Sequence, residues 1–297
     1  MSKIAILGST GMLGSTLARF LTTEKNEIYE FSRKGIAVVK GNRSGVFDVT
    51  SENSLLEFSS KHRFDFAINA IGLIKQLINE DDSSVVNLAY AVNRDFPAFL
   101  NQYSIQTSTP IIQIGTDCVY SGQDGDYNES SKFDCTDVYG KSKVEGENLS
   151  QSLLTIRSSI VGHELSTSIS LMDWFTSQPN KAEIKGYTNH YWNGVTTLDF
   201  SRIVQGVIDS GAFFSGTFHL VPADKLSKYE LLKEFADSLD RMDLTIEPFV
   251  AEISVNRTLS TLFPEKNSKL WAQAGYNQPP TVKEMVNNYA LWSRKSS

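Results

Sequence analysis

The chain has only two cysteines, Cys118 and Cys135, and four histidines among its 297 residues. The thiols form no C-x-x-C and stand near no histidine pair, which excludes a zinc site of the common spacings. Two isolated thiols also make no disulfide framework and suit a reducing cytoplasm. No run reaches the roughly 18 apolar residues of a membrane span, so no membrane partner is expected. The start, MSKIAILGSTGMLG, lacks the long apolar core of a signal peptide. There is no Lys/Arg-rich tract. With 28 basic against 34 acidic residues the formal net charge is -6, which argues against nucleic acid as a partner. What remains is 40% hydrophobic and 21% charged, the balance of an ordinary globular protein. The length suits one large domain, or one with a smaller companion.

Strand-like and helix-like segments alternate with short joints. Residues 3–8 (KIAILG) form a short apolar run ending in glycine, as a buried parallel strand does. Further strands are expected at 27–32, 45–50, 64–72, 110–115 and 153–162. Helical patterns follow them, including a capped one from Ser51, a long one over 83–103 and one in VYGKSKVEGENLS. This order predicts an α/β fold with a Rossmann-type doubly wound parallel sheet. Ligands then bind beyond the strands' carboxyl ends, here Gly8, Ser32, Asp48, Ala70, Gly115 and Arg157. After Val161 the rhythm breaks. Residues 1–163 are expected to form the cofactor domain, with a returning segment at about 195–222 that holds a helix capped by Thr196 or Thr197 and a strand at 216–221. Residues 164–194 and 223–297 would make a smaller C-terminal substrate-binding lobe.

Gly8-Ser-Thr-Gly11-Met-Leu-Gly14 is a G-x-x-G-x-x-G at the first strand-to-helix turn. Glycine allows the tight turn and lets phosphate approach the backbone, and the helix start offers free N–H groups. We expect Gly8, Thr10, Gly11, Met12, Leu13 and Gly14 to hold a dinucleotide. At the end of strand two, Ser32, Arg33 and Lys34 suit the 2′-phosphate of NADPH. Nearby Glu30 leaves NADH as the alternative. Asp48 and Val49 are placed to meet the adenine, and Asn69, Ala70 and Ile71 to run along the cofactor.

Tyr139 and Lys143 lie four residues apart, so on a helix they share a face. An ammonium near a phenol lowers its pKa from about 10 and makes it a usable acid. Thr116, at the end of strand five, is a hydroxyl donor for an oxygen gaining charge. The spacing alone decides nothing, because Tyr229 and Lys233 repeat it in YELLK. That second pair has no strand-end hydroxyl leading into it and reads as a lobe contact.

Taken together, Gly8–Gly14, Asn69-Ala70, Thr116-Asp117 and Tyr139-x-x-x-Lys143 resemble the extended short-chain dehydrogenase/reductase superfamily. GTDCVYSG, the following YNE, VYGKSKVEGE and TIRSSIVG are most similar to the nucleotide-sugar 4-ketoreductases of the dTDP-4-dehydrorhamnose reductase type. Two departures stand out. Cys118 replaces the family's aromatic residue, and the proline often found just before the tyrosine is absent, with Cys135 and Thr136 in that area. The resemblance implies NADPH-dependent reduction of the 4-keto group of a 4-keto-6-deoxy sugar nucleotide, in deoxysugar and surface polysaccharide biosynthesis. Tyr139 would protonate the C4 oxygen, Lys143 would hold the ribose and depress the tyrosine pKa, Thr116 would bond the sugar oxygen and Asp117 would orient it. The related 4,6-dehydratases carry Thr-Asp-Glu, and Cys118 removes that acid/base pair. Two alternatives stay open: a 4-epimerase, and a non-catalytic NADP-binding regulatory subunit.

On the substrate side, GYTNHYWNGVTT (186–197) offers Asn193 for a diphosphate or sugar, and Tyr191 or Trp192 for stacking. The same residues also suit a packed lobe junction, and His190 reads as a structural histidine. Lys75, Gln76 and Arg257 are further candidates for phosphate or sugar. A homodimer is compatible with this reading.

Overall fold

The computed structural model describes residues 1–296. Seven parallel strands form the central sheet. They are β1 (Ser2–Leu7), β2 (Asn26–Ser32), β3 (Arg43–Val46), β4 (Phe66–Asn69), β5 (Ile111–Gly115), β6 (Leu154–Arg157) and a last strand, Gly216–His219. From one edge the order is Gly216–His219, β6, β5, β4, β1, β2, β3. The order reverses between β1 and β4, and that switch point opens a crevice at the carboxyl ends. This is the expected doubly wound sheet.

Ile4, Ala5, Ile6 and Leu7 are all fully buried, because β1 is covered on both faces. On one face, α1 (Met12–Leu21) seats Leu13, Leu17 and Leu21 against the helix Thr197–Ser210. The other face is aromatic: Phe31, Phe47, Phe58, Phe96 and Tyr103 pack under α2 (Glu52–Lys61) and α4 (Phe96–Thr107). Ser51 caps α2 through the Ser54 amide, and Thr196 caps Thr197–Ser210 through the Asp199 amide, as their side chains suggest.

Four expected segments differ. The third strand is 43–46, not 45–50, so Asp48 lies beyond it. Only 66–69 of the expected 64–72 pairs with neighbours, because Ala70 and Ile71 leave the sheet to pack on the glycine loop. The run 153–162 divides: 154–157 joins the sheet, whereas Ile160–Val161 pairs with Val195–Thr196. The helix over 83–103 is interrupted. Between α3 (Ser83–Tyr90) and α4, residues Ala91–Asp95 form a π turn. Pro97, in the first turn of α4, has no N–H to donate four residues back, and the helix opens there by one residue.

The remainder builds two small sheets, Glu183–Tyr187 with Thr245–Phe249, and His190–Trp192 between Leu226–Ser227 and Val255–Asn256. The helix Lys228–Ser238 packs across them, opened by a capping box of Ser227 and Glu230. No described helix is long and apolar enough to cross a membrane.

Candidate functional site

The glycine loop is held between two strand ends. Gly8 and Ser9 donate backbone bonds of 2.8 and 3.1 Å to the Phe31 carbonyl, and Ala70 N–H bonds Leu7 at 2.9 Å. Gly8 has φ +88°, and a side chain there would meet Ile71. Gly14 has no room at all, since a Cβ would lie 2.0 Å from the Gly8 carbonyl oxygen. Gly11 starts α1 without any side-chain cap, so the first helical N–H groups face outward free. An uncapped helix start behind a cradle of glycines fits a dinucleotide diphosphate. Thr10 is exposed, whereas Leu13 is buried and offers only its backbone.

At the end of β2, Glu30 is fully buried and accepts from Val38 N–H (2.6 Å), Val39 N–H (3.1 Å) and Asn42. It is therefore spent on the following loop and leaves the strand end to Ser32, Arg33 and Lys34. Ser32 is buried, with its hydroxyl accepting from Ile36 N–H, and Arg33 and Lys34 are exposed cations. The Asp48 carboxyl is held below its ordinary pKa, first by the Thr50 amide and hydroxyl and then by Arg33. Its carboxylate is engaged in that local turn, so Asp48 is less available to adenine than its position suggests. Asn69 bonds Gln113 and Ile71 N–H, which shapes the loop beside Gly8.

Thr116 follows β5 and caps a short 3-10 turn, Asp117–Val119, accepting from Cys118 N–H at 3.2 Å. The helix α5 (Val138–Asn148) starts next to that turn. Asp137 caps it by accepting from Gly140 N–H at 2.8 Å. Gly140 permits the approach, since a Cβ there would stand 2.6 Å from the Cys118 carbonyl and 2.5 Å from the Cys135 Cβ. The packing brings Tyr139, half-buried, close enough to Thr116, Asp117 and Cys118 for each to act on its phenol.

One electrostatic expectation is corrected. The Tyr139 phenol is pushed up, not down, chiefly by burial and then by Cys118; Thr116 pulls against this, and Asp117 and Asp137 raise it further. Lys143 does not offset it. Its ammonium donates to the Ile114 carbonyl at 3.1 Å, and burial lowers its own pKa. Burial likewise raises Asp117, against which Arg257 and Lys228 act, and pushes the Cys118 thiol up to about 12.

The substrate-side candidates divide. Arg257 donates from Nε to the Tyr120 carbonyl at 2.8 Å and acts on Asp117 and Asp137, so it belongs to the cleft. Lys75 pairs with Asp137 at 2.7 Å, which ties it to the start of α5. Asn193 is buried with both ends of its amide bonded to Leu259, and Trp192 is 4% exposed with its N–H on Ser159. Both are corrected to packing roles, because neither has a free face for substrate. Tyr191 is 41% exposed. His190 bonds the Ile253 carbonyl and stacks on Tyr187, as a structural histidine does. Tyr229 packs on Gly186 with Lys233 over its ring, the expected lobe contact. No cluster of metal-ligating side chains occurs among the described residues.

Sequence reasoning missed Lys228, one residue from the pair it set aside. Its ammonium lies over the Trp192 ring and acts electrostatically on Asp117 and Cys118. The only local signal, the capping box at Ser227, marks a helix start and not a cleft.

The RmlD substrate binding domain family matches residues 2–289. A dTDP-4-dehydrorhamnose reductase of Aggregatibacter actinomycetemcomitans is 29% identical over 158 residues, 52% of this chain and 48% of that enzyme. The match thus spans about half of that relative's length. The spore coat polysaccharide biosynthesis protein SpsK of Bacillus subtilis is 23% identical over 100% of this chain and 99% of its own. Among solved structures, a dTDP-4-dehydrorhamnose reductase from Bacillus anthracis in complex with NADP superposes with a TM-score of 0.77 at 19% identity, covering 99% of this chain and 100% of that one. That likeness is one of fold. The chain belongs to the RmlD substrate binding domain family.

Proposed function

We propose that this member of the RmlD family is an NADPH-dependent reductase of the 4-keto group of a nucleotide-activated 4-keto-6-deoxy sugar. The observation that carries the proposal is that Thr116, following β5, and Tyr139, opening α5, lie close together at the carboxyl edge of a sheet whose first strand runs into an uncapped glycine loop. The relatives named as dTDP-4-dehydrorhamnose reductases support the reaction, and the NADP complex of one supports the cofactor. The likeness to SpsK supports a place in polysaccharide biosynthesis.

In this proposal Gly8, Gly11 and Gly14 hold the dinucleotide diphosphate, while Ser32, Arg33 and Lys34 hold the 2′-phosphate. When bound, the reduced nicotinamide supplies hydride to the carbonyl carbon. Thr116 donates a hydrogen bond to the carbonyl oxygen as it gains charge. Tyr139 gives that oxygen its proton. A phenol held neutral by burial is fully loaded for that donation. Lys143, on the same helix face, is the cation available to the resulting phenolate, while Asp117 and Arg257 orient the sugar nucleotide. Residues 164–194 and 223–297 form the substrate lobe.

The test is a screen of 4-keto-6-deoxy sugar nucleotides with NADPH and NADH, following loss of reduced-nicotinamide absorbance and the C4 configuration of the product. Substrate-dependent oxidation, faster with NADPH, is expected. No oxidation with any of them, despite bound NADPH, would leave a non-catalytic role.

A further inference from the structure

The central sheet ends at β3, and a cavity of about 560 Å³ opens between that edge strand and α2. Its floor is three rings, Phe31, Phe47 and Phe58, each no more than 4% exposed. Phe31 meets Phe58 edge to face at 5.3 Å and Phe47 at 6.1 Å. In the sheet, Phe31 of β2 stands beside Gly45 of β3. Gly45 brings no side chain to cover the ring, and a Cβ there would stand 2.9 Å from it. A glycine inside a strand marks a place where something else comes close. None of the residues proposed to hold the cofactor lines this cavity. The Phe31 carbonyl takes the Gly8 and Ser9 amides, whereas its ring belongs to the cavity.

The rim is polar, and its charges are already answered. Arg43 pairs with Glu27 at 2.8 Å, and Glu57 with Lys61 at 2.6 Å. His62 stands edge-on to Phe31 at 5.3 Å. Burial lowers its pKa while Glu57 pulls the other way, so the imidazole is neutral at pH 7. Neither of its ring nitrogens has a hydrogen-bond partner among the described residues. The Ser54 hydroxyl accepts from Asp48 N–H at 3.0 Å, and its own proton has no acceptor among them. A neutral imidazole has one donor and one acceptor nitrogen, and a hydroxyl still has a proton to give. An aromatic floor under uncharged donors and acceptors suits a flat ring whose edge carries N–H and C=O groups. An ion would find no free counter-charge to repay its desolvation. About 150 Å³ holds a benzene, so this volume takes a base together with its sugar.

We propose that this cavity binds a nucleoside with an uncharged, lactam-edged base, the ring lying against Phe31, Phe47 and Phe58 and the lactam bonded by His62 and Ser54. The site is separate from the reduction cleft and does not rest on the reductase reading.

The test is calorimetric binding of uridine, thymidine and inosine to the full-length protein with NADPH in excess. Adenosine, which lacks the lactam, and indole, a ring without a sugar, are the comparison probes. Wild type should bind at least one of the three lactam nucleosides, and more tightly than adenosine or indole. His62→Phe keeps a ring on Phe31 and removes both nitrogens. It should weaken that binding about 3- to 10-fold, one neutral hydrogen bond's worth, and leave NADPH affinity unchanged. Gly45→Val covers the Phe31 ring and should weaken it at least tenfold. Melting curves report that each variant folds, and His62→Phe decides alone if Gly45→Val does not. Wild-type nucleoside affinity in either folded variant overturns the proposal. So does a wild type that binds none of the three, or one that binds adenosine or indole as tightly.

Discussion

Arg157 and Glu147 form an ion pair with side chains only 2% and 4% exposed. Arg157 is the last residue of β6, and Glu147 lies one helical turn beyond Lys143 on α5. The pair fastens the helix that carries Tyr139 to the carboxyl end of the sheet. Arg157 also donates to the Tyr120 hydroxyl at 2.9 Å and to His219 Nε2 at 2.6 Å. An arginine only donates, so Nε2 accepts, and Nδ1 carries the proton toward the Ser260 carbonyl, 2.8 Å away.

Removing one member of that pair leaves a buried charge without its partner. Glu147→Ala should lower unfolding free energy by about 3–5 kcal/mol, read from urea unfolding. The double variant Glu147→Met, Arg157→Met should lose much less, because neither charge is then buried alone. A single variant of wild-type stability would show that the pair contributes nothing.

His219 makes stability depend on pH. Burial, then Arg157, lowers it from 6.5 to about 4 in the folded protein. The unfolded chain therefore binds the extra proton first as pH falls. The histidine's contribution is whole above about pH 6.5 and is lost toward pH 4, about 2 kcal/mol of it by pH 5. Asp117 and Asp199, both raised, act in the opposite sense, so the comparison must be with His219→Gln. The difference in unfolding free energy between the two proteins should shrink from pH 7 to pH 5. A constant difference would contradict the buried neutral imidazole.

Gly14→Ala places a Cβ 2.0 Å from the Gly8 carbonyl oxygen, and backbone must move. A stability loss of about 1–3 kcal/mol is expected, with NADPH binding, measured by fluorescence quenching, weakened at least tenfold. Gly211→Ala is the control for backbone strain without crowding. It sits at φ +61° with nothing within 4 Å, and it should spare NADPH binding.

Much of the fold was legible because its signals are local. The buried run before Gly8, the glycine spacing and the capping residues Ser51 and Thr196 each act within a few residues. The π turn at 91–95 was not, since Pro97 is tolerated in a helix's first turn and only packing reveals where the turn begins. Position was legible for Thr116, which follows β5, and for Tyr139, which lies in the first turn of α5. The site was not legible where burial sets the chemistry. Asn193 and Trp192 have the right atoms, but Leu259 and Ser159 take them. The Tyr139 pKa rises because burial, with Cys118, Asp117 and Asp137, outweighs the nearby Thr116 hydroxyl, which spacing to Lys143 does not reveal.

The central claim is that Tyr139 is the proton donor. The most direct measurement compares Tyr139→Phe and Tyr229→Phe with wild type, in NADPH oxidation with a 4-keto-6-deoxy sugar nucleotide and in NADPH affinity. The account predicts a fall of about 10²–10⁴ in kcat for Tyr139→Phe with NADPH affinity nearly intact, and little change for Tyr229→Phe. Wild-type turnover by Tyr139→Phe would contradict it.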